Sequence, residues 1–488
     1  MAGLWRGGLP AALVLGLLVV GCLSNLGSGN VVFEVKHKFG GSAGSVAGLG
    51  ARKAHDGRRH GRLLAAVDLP LGGNGSPTDV ALYYTKIGIG TPSKDYYVQV
   101  DTGSDLMWVN CIGCDNCPKK SDIGVDLILY DPKSSSTGAL VTCDQDFCSE
   151  LSNPSDCRVG AVCAYGISYG DGSSSVGYFV NDNIQLDRAS GNLQTTPMNG
   201  SITFGCGVKQ SGLLSTSTQA VDGLLGFGQA KYSMISQLAL NRKVKKMFSH
   251  CLEGNDGGGI FAIGQLVQPK LLNTTSIIPN QTHYNVMLKT IEVGGAALQL
   301  PKDVLDPDLG KNVIIDSGTT LAYLEEQLYN PLIQKIIAAQ PSLKLQTVEQ
   351  QFTCFQFNGD VDKGFPTVTF QFNNSLSLDV YPHEYLFQIH GGMWCFGWQK
   401  SGNQMKDGNL LNLLGDMVLS DKLVLYDLEN QSIGWTAYNC SSSIKVKDEQ
   451  SGAEYEVGHH DLSSAHSLNM GWALTISLLL AFLHGYLC

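Results

Sequence analysis

The sequence predicts an all-β chain built as two similar halves, on three observations. Glycine contributes 58 of the 488 residues and no sustained heptad pattern is present, which favours a turn-rich sheet protein over a helical one. Alternating runs such as Leu82-Tyr83-Tyr84-Thr85-Lys86-Ile87-Gly88-Ile89-Gly90 read as half-buried strands, this one closed by a Thr91-Pro92 turn. One arrangement occurs twice. Val98-Gln99-Val100-Asp101-Thr102-Gly103-Ser104 and Val313-Ile314-Ile315-Asp316-Ser317-Gly318-Thr319 each run from an apolar strand into Asp, a small hydroxyl residue, Gly and a second small hydroxyl residue.

Asp101 is presented at the tip of a strand, and the chain turns sharply at Gly103, where no Cβ obstructs it. Met once, Asp-Thr-Gly-Ser is an ordinary polar turn. Repeated, it implies two carboxyl groups brought together across a pseudo-twofold axis. Two like charges in contact cannot both ionise, so the pair shares a proton. One group can then act as base toward a water while the other polarises a carbonyl. Asp101 and Asp316 are therefore the expected catalytic residues, with Ser104 and Thr319 able to donate to their outer oxygens.

These stretches resemble the catalytic loops of the pepsin-like aspartic proteases, and the resemblance extends from about residue 83 to residue 440. Ile167-Ser168-Tyr169-Gly170-Asp171-Gly172-Ser173 is similar to the flap hairpin of that family, and Trp108 to the tryptophan that holds its tyrosine. Leu224-Leu225-Gly226 and Leu413-Leu414-Gly415-Asp416 resemble the elements that back the two loops. The resemblance implies a bilobal fold of two β-barrel-like lobes with a few short helices, and an endopeptidase acting at acidic pH on protein or peptide substrates. It also implies that Thr102 and Ser317 lock the lobes through their hydroxyls. Some relatives on this fold are binding proteins or inhibitors; such chains typically lose an acid or the Gly of one turn, and this chain keeps both.

In chain order, Arg6 and the apolar run Leu9–Leu23 predict a signal peptide over residues 1–24. A basic stretch with Arg52, Lys53, Arg58, Arg59 and Arg62 lies in residues 25–70, expected to be a removable propeptide. The N-terminal lobe is expected over residues 71–275 and the C-terminal lobe over 276–440. Of 14 cysteines, Cys22 lies in the signal and Cys488 is terminal, which leaves 12 for disulfides in an oxidising compartment. Cys111-x2-Cys114-x2-Cys117 can be read as a metal site, but no His cluster stands nearby. A disulfide-knitted insert over 111–163 is the preferred reading, with no metal or cofactor. That insert resembles the nepenthesin-like and nucellin-like plant proteases. The resemblance implies Cys148–Cys157 nested within Cys143–Cys163, Cys206 tied to Cys440, and Cys354 to Cys395.

Helices are expected over Ser233–Phe248, capped by Ser233, and from Pro331 onward, capped by Asn330, with Leu332, Ile333, Ile336 and Ile337 as the buried stripe. Gly254–Gly259 reads as a turn and not a phosphate loop, since no Lys-Ser/Thr pair follows. Leu423–Asp427 and Ile433–Trp435 resemble the closing strands of the family. Residues 441–464 read as a polar linker. The apolar tail within 465–488 reads as a lipid-attachment signal, with Ser463 and Ser464 as acceptor candidates and Ser451-Gly452-Ala453 as a second site. A membrane-anchored plant protease subgroup carries a similar tail. Acceptor sequons for glycosylation begin at Asn199, Asn273, Asn280, Asn373, Asn430 and Asn439. A formal charge of −10 without a basic block argues against a nucleic-acid partner. A secreted monomer anchored at the outer membrane face is the expectation.

Overall fold

The chain folds around the strand Lys94–Asp101, whose Tyr96, Val98 and Val100 are buried while Tyr97 and Gln99 are half-buried, the period of two seen in the sequence. A computed structural model describes residues 64–459, apart from 150–156, 255–256, 271–272, 302–303, 306–311, 350 and 403–410. The expected signal peptide, the basic cluster, Ser463, Ser464 and the apolar tail lie outside the described residues. Lys94–Asp101 pairs antiparallel with Leu82–Ile89 and parallel with Gly223–Gly226, which sets Gly226 level with Asp101. Gly223–Gly226 also pairs with the start of Trp108–Asp115. The C-terminal half repeats the plan: Val313–Ile315 lies parallel to Leu413–Leu414 and antiparallel to Asn285–Val286. The predicted all-β, bilobal architecture with few short helices is the one that forms.

One sheet joins the halves. Met247–Leu252 bonds Gly259–Ile263 on one side and Lys422–Asp427 on the other. Over it lies an aromatic cluster from both halves: Phe248 stacks on Tyr426 at 4.4 Å, while Phe227 meets Phe261 at a tilt and Tyr284 meets Tyr426 edge-on, each at 4.7 Å between ring centres. Such pairs add about 0.5–1.5 kcal/mol each beyond burial, so the seam is stiff where the two acid-bearing strands end.

Several expectations are corrected. Ser233 caps its helix as read, accepting from the Ser236 amide, but the helix is Met234–Leu240 and stops well before Phe248. Arg242 takes a positive φ of 55°, and Met247–Leu252 is drawn into the joining sheet, where two strand neighbours outweigh the helical spacing. The second helix is Glu326–Ile337, with Glu325 as N-cap and Pro331 inside it. Asn330 does not cap; its amide donates to Glu326 Oε1 at 3.1 Å. Pro331 forgoes one ladder bond, but starting a turn earlier buries Leu328 and Tyr329 with Leu332, Ile333 and Ile336.

The cysteines also depart from the implied pairing, except Cys354–Cys395, which face each other on adjacent antiparallel strands. The nested pairs are replaced by Cys143–Cys157 and Cys148–Cys163. The bridge between Thr142 and Val162 sets Cys143 beside Ala161 and Cys163 beside Val141, so Cys143 and Cys163 are diagonal and not opposed. Cys206 pairs with Cys111, because Gln194–Ser211 runs directly beside Trp108–Asp115. Cys440 pairs with Cys251 of the joining sheet, so it still links the halves through another partner. Cys114 bonds Cys117, which leaves every cysteine of the Cys111–Cys117 cluster in a disulfide.

Residues 443–458 are not a linker. Ser443–Asp448 and Ala453–Gly458 form a hairpin on Gln265–Gln268, with Ile444 and Val446 buried and Lys445 and Lys447 facing outward. Asp448, fully buried, pairs with Arg188 at 2.7 Å. The folded body likewise takes in residues 64–70, assigned by sequence to the removable leader: Leu64, Ala65, Ala66, Val67 and Leu69 are buried, and Val67–Asp68 pairs on both sides.

Candidate active site

Each acid is held by its own turn. The Gly103 amide donates to Asp101 Oδ1 at 2.7 Å and the Ser104 hydroxyl to Oδ2. The Gly318 amide donates to Asp316 Oδ1 at 2.7 Å and the Thr319 hydroxyl to Oδ2 at 2.7 Å. Both carboxyls are buried, at 5% and 6% exposure. They meet because each turn lies on the opposite acid. A Cβ on Gly103 would stand 2.4 Å from the Asp316 carboxyl, and one on Gly318 would stand 1.9 Å from Asp101 Oδ1. Only glycine permits that approach. Burial, then the charge of Asp316, push the Asp101 carboxyl up to about 7 against the pull of the Ser104 and Gly103 donors. A buried pair that holds one proton over the acidic range can supply a base and an acid at once.

The cross-lobe lock is one-sided. Thr102 Oγ1 accepts the Ser317 amide at 2.8 Å. Ser317 Oγ is buried without a partner, so the reciprocal hydroxyl lock implied for Ser317 is not made. The stretch that resembles a flap forms a hairpin, Ala164–Ser168 with Ser174–Gly191, turned by Gly172 at a φ of 83°. Tyr169 and exposed Gly170 lie at its tip, where the Tyr169 hydroxyl accepts the Trp108 indole N–H at 2.7 Å. Burial raises the Tyr169 hydroxyl pKa; Trp108 opposes that, and the charge of Asp101 adds to it, so the tyrosine lies within the field of the acids.

Other residues at the site left no motif. Asp416, noted only as part of the Leu413-Leu414-Gly415 element, is fully buried; burial, then the charges of Asp316 and Asp101, push its carboxyl well above the usual range. Its Oδ1 has no partner. Gln99 donates to Gly318 O at 3.3 Å, and His283 Nδ1 lies 2.8 Å from Gly103 O. Both contacts join residues more than 170 positions apart, which no local pattern reports. Of the sequons, Asn199, Asn273, Asn280, Asn430 and Asn439 are exposed and Asn373 is half-buried.

Two pseudo-symmetric lobes, two turn-borne carboxyls and a tyrosine flap define the architecture of pepsin-like acid proteases. Comparison with known proteins agrees. Family models described as Xylanase inhibitor N-terminal and Xylanase inhibitor C-terminal match residues 83–265 and 283–437. The chain is 51% identical over 461 residues to aspartic proteinase 36 of Arabidopsis thaliana, covering 94% of each chain. It is 29% identical over 375 residues to aspartic proteinase nepenthesin-2 of Nepenthes gracilis, covering 74% of this chain and 78% of that one. A crystal structure of edgp superposes with a TM-score of 0.60 at 18% identity, over 77% of this chain and 95% of that chain, which shows the shared fold. The chain belongs to the pepsin-like aspartic protease family.

Proposed function

We propose that the chain is an endopeptidase active at acidic pH, and the observation that carries this is the meeting of Asp101 and Asp316 with both turn donors in place. A water between the carboxyls loses a proton to the ionised one as its oxygen attacks the peptide carbonyl. The protonated partner donates to the carbonyl oxygen, giving a tetrahedral diol. Collapse of the diol breaks the C–N bond, with a proton delivered to the leaving amine. Tyr169 and Trp108 close the flap and exclude bulk water. The dyad titrates as a pair. Activity falls once the shared proton is lost, and a value of about 7 at Asp101 puts that loss near neutrality.

The second reading, an inhibitor or binding protein, draws on the xylanase-inhibitor description of the matching family models. Intact turns favour hydrolysis. The test is cleavage of a peptide library by the purified mature chain across acidic to neutral pH, with Asp101→Asn and Asp316→Asn. Each substitution is expected to lower turnover at least about a thousandfold while a peptide-like inhibitor still binds, because Asn cannot serve as base or share the proton. Wild-type turnover in either variant would sink the paired-acid mechanism. A wild-type chain that binds a partner protein and cuts nothing would install the inhibitor reading.

The same proposal places the chain in the secretory pathway as a glycosylated monomer, held by a lipid at the outer face of the plasma membrane. Six disulfides among the described residues, exposed sequons and the apolar tail of the sequence support it. Among the described residues no helix is long and apolar enough to cross a membrane. Phosphatidylinositol-specific phospholipase should release the mature protein; recovery of a mature C-terminal peptide ending at Cys488 would exclude the lipid anchor.

A further inference from the structure

His283 opens the first strand-bearing segment of the C-terminal half, yet its side chain reaches the N-terminal acid-bearing turn. Its Nδ1 lies 2.8 Å from Gly103 O. A carbonyl oxygen can only accept, so Nδ1 carries the proton in this contact.

The backbone around His283 is held from both halves. Gln229 Nε2 donates to His283 O at 2.6 Å, and the Tyr284 hydroxyl donates to Phe227 O at 2.6 Å. Phe227 in turn donates its amide to Asp101 O at 2.7 Å. On the other side the Ile315 amide, next to Asp316, donates to Tyr284 O at 3.1 Å. The dipeptide His283-Tyr284 therefore touches the strand ends of both acids. The equivalent carbonyl of the other turn is also met, though from a position that does not correspond to His283: Gln99, on the acid-bearing strand of the N-terminal half, donates to Gly318 O at 3.3 Å. Each turn glycine thus offers its carbonyl to a side chain of the opposite lobe, and the histidine makes the shorter bond.

We propose that His283 is a positioning residue, whose Nδ1–H crosses the lobe boundary to Gly103 O and fixes the distance between Asp101 and Asp316. The proposal rests on the protease reading for its kinetic consequence, but the bond itself does not. Gly103 packs against the Asp316 carboxyl, so a tilt of this turn changes the separation of the acids directly. A small misplacement of reacting groups lowers turnover more than substrate binding.

The test uses the full chain, secreted and processed, with His283→Phe and His283→Asn. Phe keeps a ring of similar size without a donor, whereas the Asn amide N–H falls near the position of Nδ1. His283→Phe should lower kcat about tenfold with KM within about twofold, and His283→Asn should restore most of it. Wild-type kcat in His283→Phe, or an Asn variant as slow as the Phe variant, would overturn the proposal. A tautomer measurement by nitrogen NMR of ring-labelled histidine stands apart from activity. A protonated, hydrogen-bonded Nδ1 at His283 supports the bond, and a bare Nδ1 with protonated Nε2 removes it. A wild-type chain that cleaves no peptide would count against the protease reading, and the tautomer would still decide the cross-lobe bond.

Discussion

Asp101 takes its turn amide from Gly103 and its hydroxyl from Ser104, and Asp316 takes the same from Gly318 and Thr319. One layer further out the halves diverge. Leu224-Leu225-Gly226 is followed by Phe227, whose ring joins the aromatic seam, while Leu413-Leu414-Gly415 is followed by Asp416, a buried acid with one unpartnered oxygen. Thr102 accepts the Ser317 amide through its hydroxyl, while the hydroxyl of its counterpart Ser317 has no partner. The flap also belongs to one half only. The symmetry is thus kept where the two carboxyls must meet and relaxed where the chain only supports them. That relaxation leaves two acids of the same type in unequal surroundings, which is how a pair divides one proton between two tasks.

The comparison is broken hardest at the glycines. Gly103→Ala and Gly318→Ala each push a methyl into the opposite acid, at 2.4 Å and 1.9 Å. Both should lose at least about a hundredfold in kcat, with the larger loss at Gly318. Kinetics on folded variants would show it, and an active Gly318→Ala would mean that the acids are not held at this separation.

Asp416 sharpens the contrast through pH. Its folded pKa is raised well above 3.8, so the native chain keeps a proton that the unfolded chain releases as pH passes that value. The native state then binds more protons, and stability falls as pH rises from there toward the raised value. Asp101, raised to about 7, adds a contribution of the same sign. Asp416→Asn has no proton to lose. Its thermal midpoint should therefore gain on wild type between about pH 3 and about pH 7. Parallel melting curves across that range would contradict this account of the buried acid.

The smallest effects come from the unequal lock. Thr102→Val strands the buried Ser317 amide and should cost about 1–3 kcal/mol, whereas Ser317→Ala removes a hydroxyl without partners and should stay within about 0.5 kcal/mol of wild type. Denaturant unfolding separates the two. Equal losses would restore the symmetric lock.

The sequence by itself determined the class of fold, the two acid-bearing turns, the hairpin that carries Tyr169 and the capping serine at Ser233, because each is written in local terms: alternation, a glycine at a turn, a hydroxyl before a helix. Ile444 and Val446 alternate with Lys445 and Lys447, yet polarity made that hairpin look like a linker. Only the tertiary structure decided which cysteines meet, where Met247–Leu252 belongs, that Ser317 is left unpaired, and that Gln99 and His283 brace the opposite turns. Those outcomes depend on strand register and on contacts between residues distant in the chain. A shift of one residue in pairing turns a side chain to the other face without altering the sequence pattern that precedes it.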